Sequence, residues 1–453
     1  MSEDRAAQQL SRSLKSRHVS MITFGGIIGA GLFVGSSTAI STIGPAAVLS
    51  YAIAGFLVLL VMRMISEMAM ALPGTQTFTD FARAGVGDWA GYIVGWLYWY
   101  FWVVVIAVEA IAGAKIICTW LPQFAVWQVG VVLMAVLTAV NLLSARSYGE
   151  FEFWFASTKV VAVIVFIAVA AAYAFGLTSP SGPTFANLTA HGGFAPFGVT
   201  AIFAGVATTI FSLCGAEIAT LAAAESAEGK QTIARMTISV SVRILVFFVL
   251  SILMIVAVVP WNEIKVGVSP FAHALQTMGY PGADLLMNAI VLVAVLSCLN
   301  SGIYITSRAM FGLAQSGDAP QSCVQLSRQR VPARAILIAS LFSYGALAAS
   351  VLSPDLVFNF LVNSSGAIML FIYMLIAIAQ LRLRTRLERE APEQLQIKMW
   401  FHPYGTWLAI AGMAGVLVLM AFSPAHQIEL WTSVAVTLAF MAARLLRDRM
   451  RMA

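Results

Sequence analysis

The chain has 453 residues, of which 60% are hydrophobic and 10% charged, with a formal net charge of +6. A sequence this apolar does not fold as an ordinary soluble enzyme, and it is too long for one or two membrane spans. The basic residues follow membrane topology rather than forming a nucleic-acid-binding patch.

A hydrocarbon core about 30 Å thick needs roughly 20 apolar residues as helix. About twelve segments meet that need, at 19–42, 46–71, 90–118, 124–143, 154–177, 198–222, 238–259, 284–313, 334–352, 357–380, 404–422 and 427–445. The predicted fold class is therefore an all-α polytopic membrane protein. Its single transmembrane domain, 19–445, lies between an N-terminal tail at 1–18 and a C-terminal tail at 446–453. No cleavable signal is expected, because the first apolar segment is long and follows a polar tail.

The first span carries FGGIIGAGLFVG at 24–35, with five glycines. Two readings are open. Gly25 to Gly29 and Gly31 to Gly35 have the four-residue spacing of a close helix crossing. Alternatively the helix is interrupted, which lipid tolerates only where the backbone is buried or lines a cavity. The sixth span repeats the irregularity in FSLCGAEIATLAAAES at 211–226, where Gly215 is followed two residues on by Glu217. Irregular spans offset by five are the pattern of an inverted repeat whose broken helices form a midplane site. Phe211, immediately before the turn, is either a core residue or a cover for a bound molecule.

Ionisable residues inside spans cost about 2.5 to 3.5 kcal/mol each on insertion scales, so they are functional candidates. Glu109 in the third span, Lys159 in the fifth and Glu217 in the sixth qualify, with structural hydrogen bonding or snorkelling as the alternatives. Arg63 and Arg308 are expected to reach the interface. The aromatic run WLYWYFW at 96–102 is read as bundle packing or an interfacial belt.

Orientation follows from the basic residues. Arg5, Arg12, Lys15 and Arg17 precede the first span; Arg328, Arg330 and Arg334 flank the eighth loop; Arg382, Arg384, Arg386, Arg389 and Lys398 fill the tenth. With Arg444 and its successors near the chain end, these all fall on one side of twelve alternating spans, whereas the opposite loops carry only Lys265. Both termini are thus expected to be cytoplasmic. Cys118, Cys214, Cys298 and Cys323 contain no CxxC pair, and His18, His191, His273, His402 and His426 lack ligand spacing, so neither a metal nor a disulfide is expected. No phosphate-binding loop and no nucleophile, acid or base constellation appears, which argues against an enzyme and against an ATP-driven pump.

Together these motifs resemble the amino acid–polyamine–organocation superfamily, and within it the bacterial amino acid transporter family. The likeness runs from LKSRHVSMITFGGIIGAGLFVG at 14–35 through GPAAVLSYAIAG at 44–55, YGEFEFWFASTKVVA at 148–162 and SCLNSGIYITSRAMFGLAQSGDAP at 297–320. The segments GWLYWYFWVVVIAVEA, GAEIATLAAAES, SCLNS and NSSGAI place it nearest members that carry 4-aminobutyrate (GABA). The resemblance implies twelve helices, with inverted repeats at 19–177 and 198–380 and two extra helices in 404–445. It implies proton-coupled import of GABA or a similar small amino acid across a bacterial inner membrane by alternating access, with no cofactor and no obligatory protein partner. Permeases for aromatic or small α-amino acids, D-forms included, share the scaffold and are the alternative.

Carried over residue by residue, the resemblance puts the substrate carboxylate at Gly29, Ala30 and Gly31, with Ile27, Ile28 and Leu32 shaping the pocket. Phe211 becomes the aromatic gate, and Ser212, Cys214 and Gly215 supply nearby backbone groups. Lys159 takes the place of an ion and exchanges the coupled proton, facing Ser297 and Asn300. Glu217 is the expected partner of the substrate ammonium, and Glu109 a second acid that relays protons.

Overall fold

The computed structural model describes residues 21, 23–24, 26–72, 77–143, 145–218, 230–327, 331–349, 351–424 and 426–452. Gly25, the arginines and lysine of the N-terminal tail, His18, Arg328, Arg330 and the last residues of the predicted sixth span lie outside them. Among the described residues the regular structure is entirely helical. Nine helical stretches there are long and apolar enough to cross a membrane, and Gly198–Leu213 and Ala333–Ala349 are apolar but shorter.

In chain order the helices are α1 (Ala30–Phe33), α2 (Ser36–Ile43), α3 (Ala47–Ala71), α4 (Phe78–Val86), α5 (Asp88–Trp120), α6 (Val126–Leu143), α7 (Ala145–Ala174) and α8 (Gly198–Ala204). There follow α9 (Val206–Leu213), α10 (Lys230–Val258), α11 (Pro270–Thr277), α12 (Ala283–Gln315), α13 (Ala333–Ala349), α14 (Pro354–Glu390), α15 (Tyr404–Phe422) and α16 (Gln427–Met452). Helix α5 is the hub, packed along α12 and α14, while α3 packs along α10 and α9. Helices α6, α7, α15 and α16 lie outside. They present an apolar face of the kind that suits lipid, such as Val161, Ile164 and Val165 on α7.

Several boundaries depart from the hydropathy pattern. Helix α14 runs to Glu390, ten residues beyond its apolar segment, where an Arg384–Glu388 pair at 2.6 Å supports the polar extension. Helix α4, absent from the expected spans, starts from a Thr77–Asp80 capping box, with the Thr77 N–H donating to Asp80 at 3.0 Å. Arg83 on α4 and Arg447 on α16 both pair with Asp318, just past α12. At the same end Arg384 Nη1 donates to Glu67 Oε2 at 2.8 Å and Gln380 Nε2 donates to Glu67 Oε1 at 2.8 Å. Across the bundle Lys115 pairs with Asp355. Arg308, expected at an interface, is instead buried, its guanidinium 3.8 Å from the centre of the Tyr304 ring. The four cysteines are all unpaired.

Helices α9 and α14 touch backbone to backbone. A Cβ added at Gly366 would lie 1.8 Å from the Ala207 carbonyl oxygen. Gly366→Ala is therefore expected to destabilise the protein by about 3 kcal/mol, the upper range for overpacking. A thermal unfolding midpoint in detergent unchanged from wild type would contradict this close contact.

Candidate functional site

The first span is interrupted ahead of α1. Ile28 N–H still bonds the Phe24 carbonyl at 2.9 Å, but Gly29 N–H turns to Ile27 O at 3.1 Å, and helix resumes at Ala30. The first N–H groups of a helix lack intrahelical partners. Here the Glu109 carboxylate, reaching from α5, accepts the Ala30 N–H, with its oxygens at 2.9 and 3.0 Å. Glycine at 29 permits that approach, since a Cβ would stand 2.5 Å from Glu109 Oε1 and 2.7 Å from Cys298 Cβ. At Gly31 a Cβ would come within 2.8 Å of the Ser212 Cα, and the Ser212 hydroxyl donates to Gly31 O at 2.7 Å. Interruption and close packing, posed as alternatives, coexist in these glycines.

The second interruption follows α9. Cys214 is extended and Gly215 has φ +121°, a conformation that favours glycine. Gly215 N–H donates to both Glu217 oxygens at 3.1 Å, and the Tyr373 hydroxyl of α14 donates to Oε2 at 3.1 Å.

Between the two breaks lies a small cavity. Ile27 and Gly31 line it from the first break, Phe211 and Cys214 from the second, and Trp102 and Glu109 from α5. Phe101 closes one wall, its ring 6.2 Å from that of Phe211 in an edge arrangement. Among the described residues Glu109 is the one carboxylate lining the cavity, and Cys298 on α12 also faces it.

Behind Glu109 is the Lys159 side chain, 1% exposed. Its nearest charges include Glu109 and Glu152. Lys159 Nζ is 3.9 Å from Glu152 Oε1, which also accepts the Ser297 hydroxyl at 2.5 Å. Among the described residues no group of His, Cys, Asp or Glu is arranged to hold a metal ion.

The sequence-predicted residues thus separate. Ile27, Gly31, Phe211, Cys214 and Glu109 meet at the cavity, while Gly29, Ala30 and Ser212 build its wall from behind. Ile28, Leu32, Gly215 and Glu217 are buried but do not line it. Ser297 reaches the buried partner of Lys159, but Asn300 turns the other way and accepts from Asn141 Nδ2 of α6 at 2.6 Å. Residues three apart on a helix diverge by about 60°, enough to meet different neighbours. Trp102, Val105, Cys298 and Glu152 were not singled out. The spacing that reveals them is helical: Trp102, Val105 and Glu109 recur on one face of α5, and Glu152 lies seven residues before Lys159.

Fold and site define a multi-pass helical membrane protein with a buried, partly aromatic site between two broken helices. Residues 18–447 match the amino acid permease family model, and the chain belongs to that family. It is 47% identical over 429 residues to a gamma-aminobutyric acid permease of Bacillus subtilis, covering 94% of this chain and 92% of the relative. A gamma-aminobutyric acid permease of Escherichia coli is 43% identical over 433 residues, covering 95% and 92%. An aromatic amino acid transport protein of Salmonella typhimurium is 34% identical over 431 residues, covering 95% and 94%.

Proposed function

We propose that the protein is a proton-coupled importer of GABA, or of a closely related small amino acid, across the bacterial inner membrane by alternating access. In this reading both termini are cytoplasmic, and twelve spans form inverted repeats at 19–177 and 198–380 with two peripheral helices in 404–445. One observation carries it: the paired helix breaks at Ile28–Gly29 and Cys214–Glu217 enclose a cavity lined by the Glu109 carboxylate. The relatives named as gamma-aminobutyric acid permeases, at 43% and 47% identity, support the choice of substrate.

The substrate carboxylate takes the Ala30 N–H, and with it the place that Glu109 now fills. Glu109, displaced but still lining the cavity, then faces the substrate ammonium at the far end of the propylene chain. This revises the expectation for Glu217, whose oxygens are engaged by Gly215 and Tyr373. Glu217 holds the second break in shape. Phe211 closes over the occupied cavity. Lys159 binds and releases the coupled proton, and its differential interaction with the two arrangements of the bundle shifts their populations.

Uptake of labelled GABA into proteoliposomes, with a competition panel, tests this. Unlabelled GABA and other short ω-amino acids are expected to compete, whereas tyrosine, phenylalanine and D-alanine are not. The aromatic lining by Phe101, Trp102 and Phe211 favours the second reading, a permease for aromatic or small α-amino acids. Competition by those compounds alone would select it.

A further inference from the structure

Glu152 does not line the cavity and is given no step in the function proposed above, yet it is fully buried on a helix whose opposite face is apolar. A buried carboxylate is costly unless paired and hydrogen-bonded. Its pairing is incomplete. Oε1 takes the Ser297 hydroxyl at 2.5 Å and lies 3.9 Å from Lys159 Nζ, while Oε2 is buried without a hydrogen-bond partner among the described residues. The Ser301 hydroxyl, one turn beyond Ser297, is the other polar group beside this carboxylate. An ion pair at 3.9 Å is longer than a hydrogen bond, so proton transfer requires the two groups to close together.

The placement gives this pair a direction. Glu152 and Lys159 are seven residues apart on α7, two turns on one face, which is about 10 Å along the axis. Glu152 is the one nearer the start of the helix, the cytoplasmic end in the proposed topology. On the other side, Glu109 and the Cys298 thiol also act on Lys159, and both of those line the cavity. Glu109, Lys159 and Glu152 therefore form a chain running from the cavity toward the start of α7. Ser297, which holds Glu152, adjoins Cys298 on α12, so any movement of α12 against α7 alters the last link.

We propose that Glu152 is the exit relay for the coupled proton: it accepts the proton from Lys159 and hands it to the cytoplasmic side. The Lys159 ammonium transfers one proton to the Glu152 carboxylate, leaving a neutral amine and a neutral acid. Glu152 then releases that proton to water on the cytoplasmic side. Glu109 takes up a proton from the cavity while the cavity is open to the outside, passes it to the Lys159 amine, and returns to the carboxylate that binds Ala30. One proton crosses and every group ends as it began.

This inference rests on the proton-coupled reading, and the experiment separates the two. Proteoliposomes loaded with GABA are assayed for counterflow of labelled GABA at equal pH, which needs no net proton movement, and for accumulation under an imposed pH difference. Glu152→Gln keeps an oxygen for Ser297. It is expected to retain counterflow while accumulation falls roughly a hundredfold, the scale of a lost positioned proton-transfer group. Glu152→Asp is expected to restore accumulation. Ser297→Ala, which leaves the charges in place, is expected to shift the pH at which accumulation is half-maximal, and it serves if Glu152→Gln proves unstable. Wild-type accumulation by Glu152→Gln, equal loss of counterflow and accumulation in that variant, or an unmoved pH profile in Ser297→Ala would each overturn the relay. Failure of the wild-type protein itself to respond to the pH difference would instead refute proton coupling, and the relay with it.

Discussion

Lys159→Ala is expected to abolish accumulation of GABA under an imposed pH difference. The side chain is buried, its ammonium pairs with Glu152, and Glu109, the other acid acting on it, lines the cavity. Alanine removes the one basic group of that chain, so no proton passes between the two acids. The substitution also leaves Glu152 as a buried carboxylate without its cation, at a cost of about 3 to 5 kcal/mol. A second change follows from this. Lys159→Ala combined with Glu152→Gln is expected to unfold at a higher temperature than Lys159→Ala alone while remaining uncoupled, a coupling that a double-mutant cycle measures. Vesicles of Lys159→Ala that still concentrate substrate against its gradient would remove Lys159 from the mechanism.

Glu109→Gln is expected to act on substrate rather than on stability. Glutamine keeps an acceptor for the Ala30 N–H, so the start of α1 is preserved, but it removes the negative charge from the cavity. Losing one partner of a desolvated charge pair costs about 3 kcal/mol, roughly a hundredfold in GABA affinity. Glu217→Gln is the matched comparison. Its carboxylate accepts Gly215 N–H and the Tyr373 hydroxyl away from the cavity, so the thermal midpoint is expected to fall with affinity largely kept. Equilibrium binding and thermal unfolding of the two variants together check the assignment. The opposite pattern, with affinity lost in Glu217→Gln and kept in Glu109→Gln, would return the ammonium to Glu217.

The roles of these two acids show where sequence reasoning stops. Both stood out because a carboxylate inside an apolar span is expensive, and that cost is visible in one dimension. Their partners were not visible. Ala30 and Glu109 are 79 positions apart, and Tyr373 is 156 from Glu217, so no periodicity links them. The spans themselves were easier: Asp88–Trp120 and Gln427–Met452 begin within two residues of the predicted 90 and 427. The polar end of α14 and the short α4 were missed because both continue as helix for reasons other than hydropathy, one through an ion pair and the other through a cap. Glu152, in GEFEFWFA, lies ahead of the apolar segment that begins at 154, so hydropathy does not mark it, and its partner Lys159 comes seven residues on.

What the sequence determined alone is the helical, membrane-crossing character of the chain, the glycine-rich irregularity of its first and sixth spans, and the small set of ions confined within the spans. The physical reason is that lipid offers backbone groups no hydrogen bonds and charges no solvent, so every departure from an apolar helix marks itself. Only the tertiary structure decided which ion meets which group: Glu109 on the Ala30 amide, Glu217 on Gly215 and Tyr373, Lys159 beside Glu152, and Asn300 on Asn141. Those pairings depend on how helices distant in sequence rotate and approach one another. Side-chain volumes set that geometry, with glycines admitting the closest contacts.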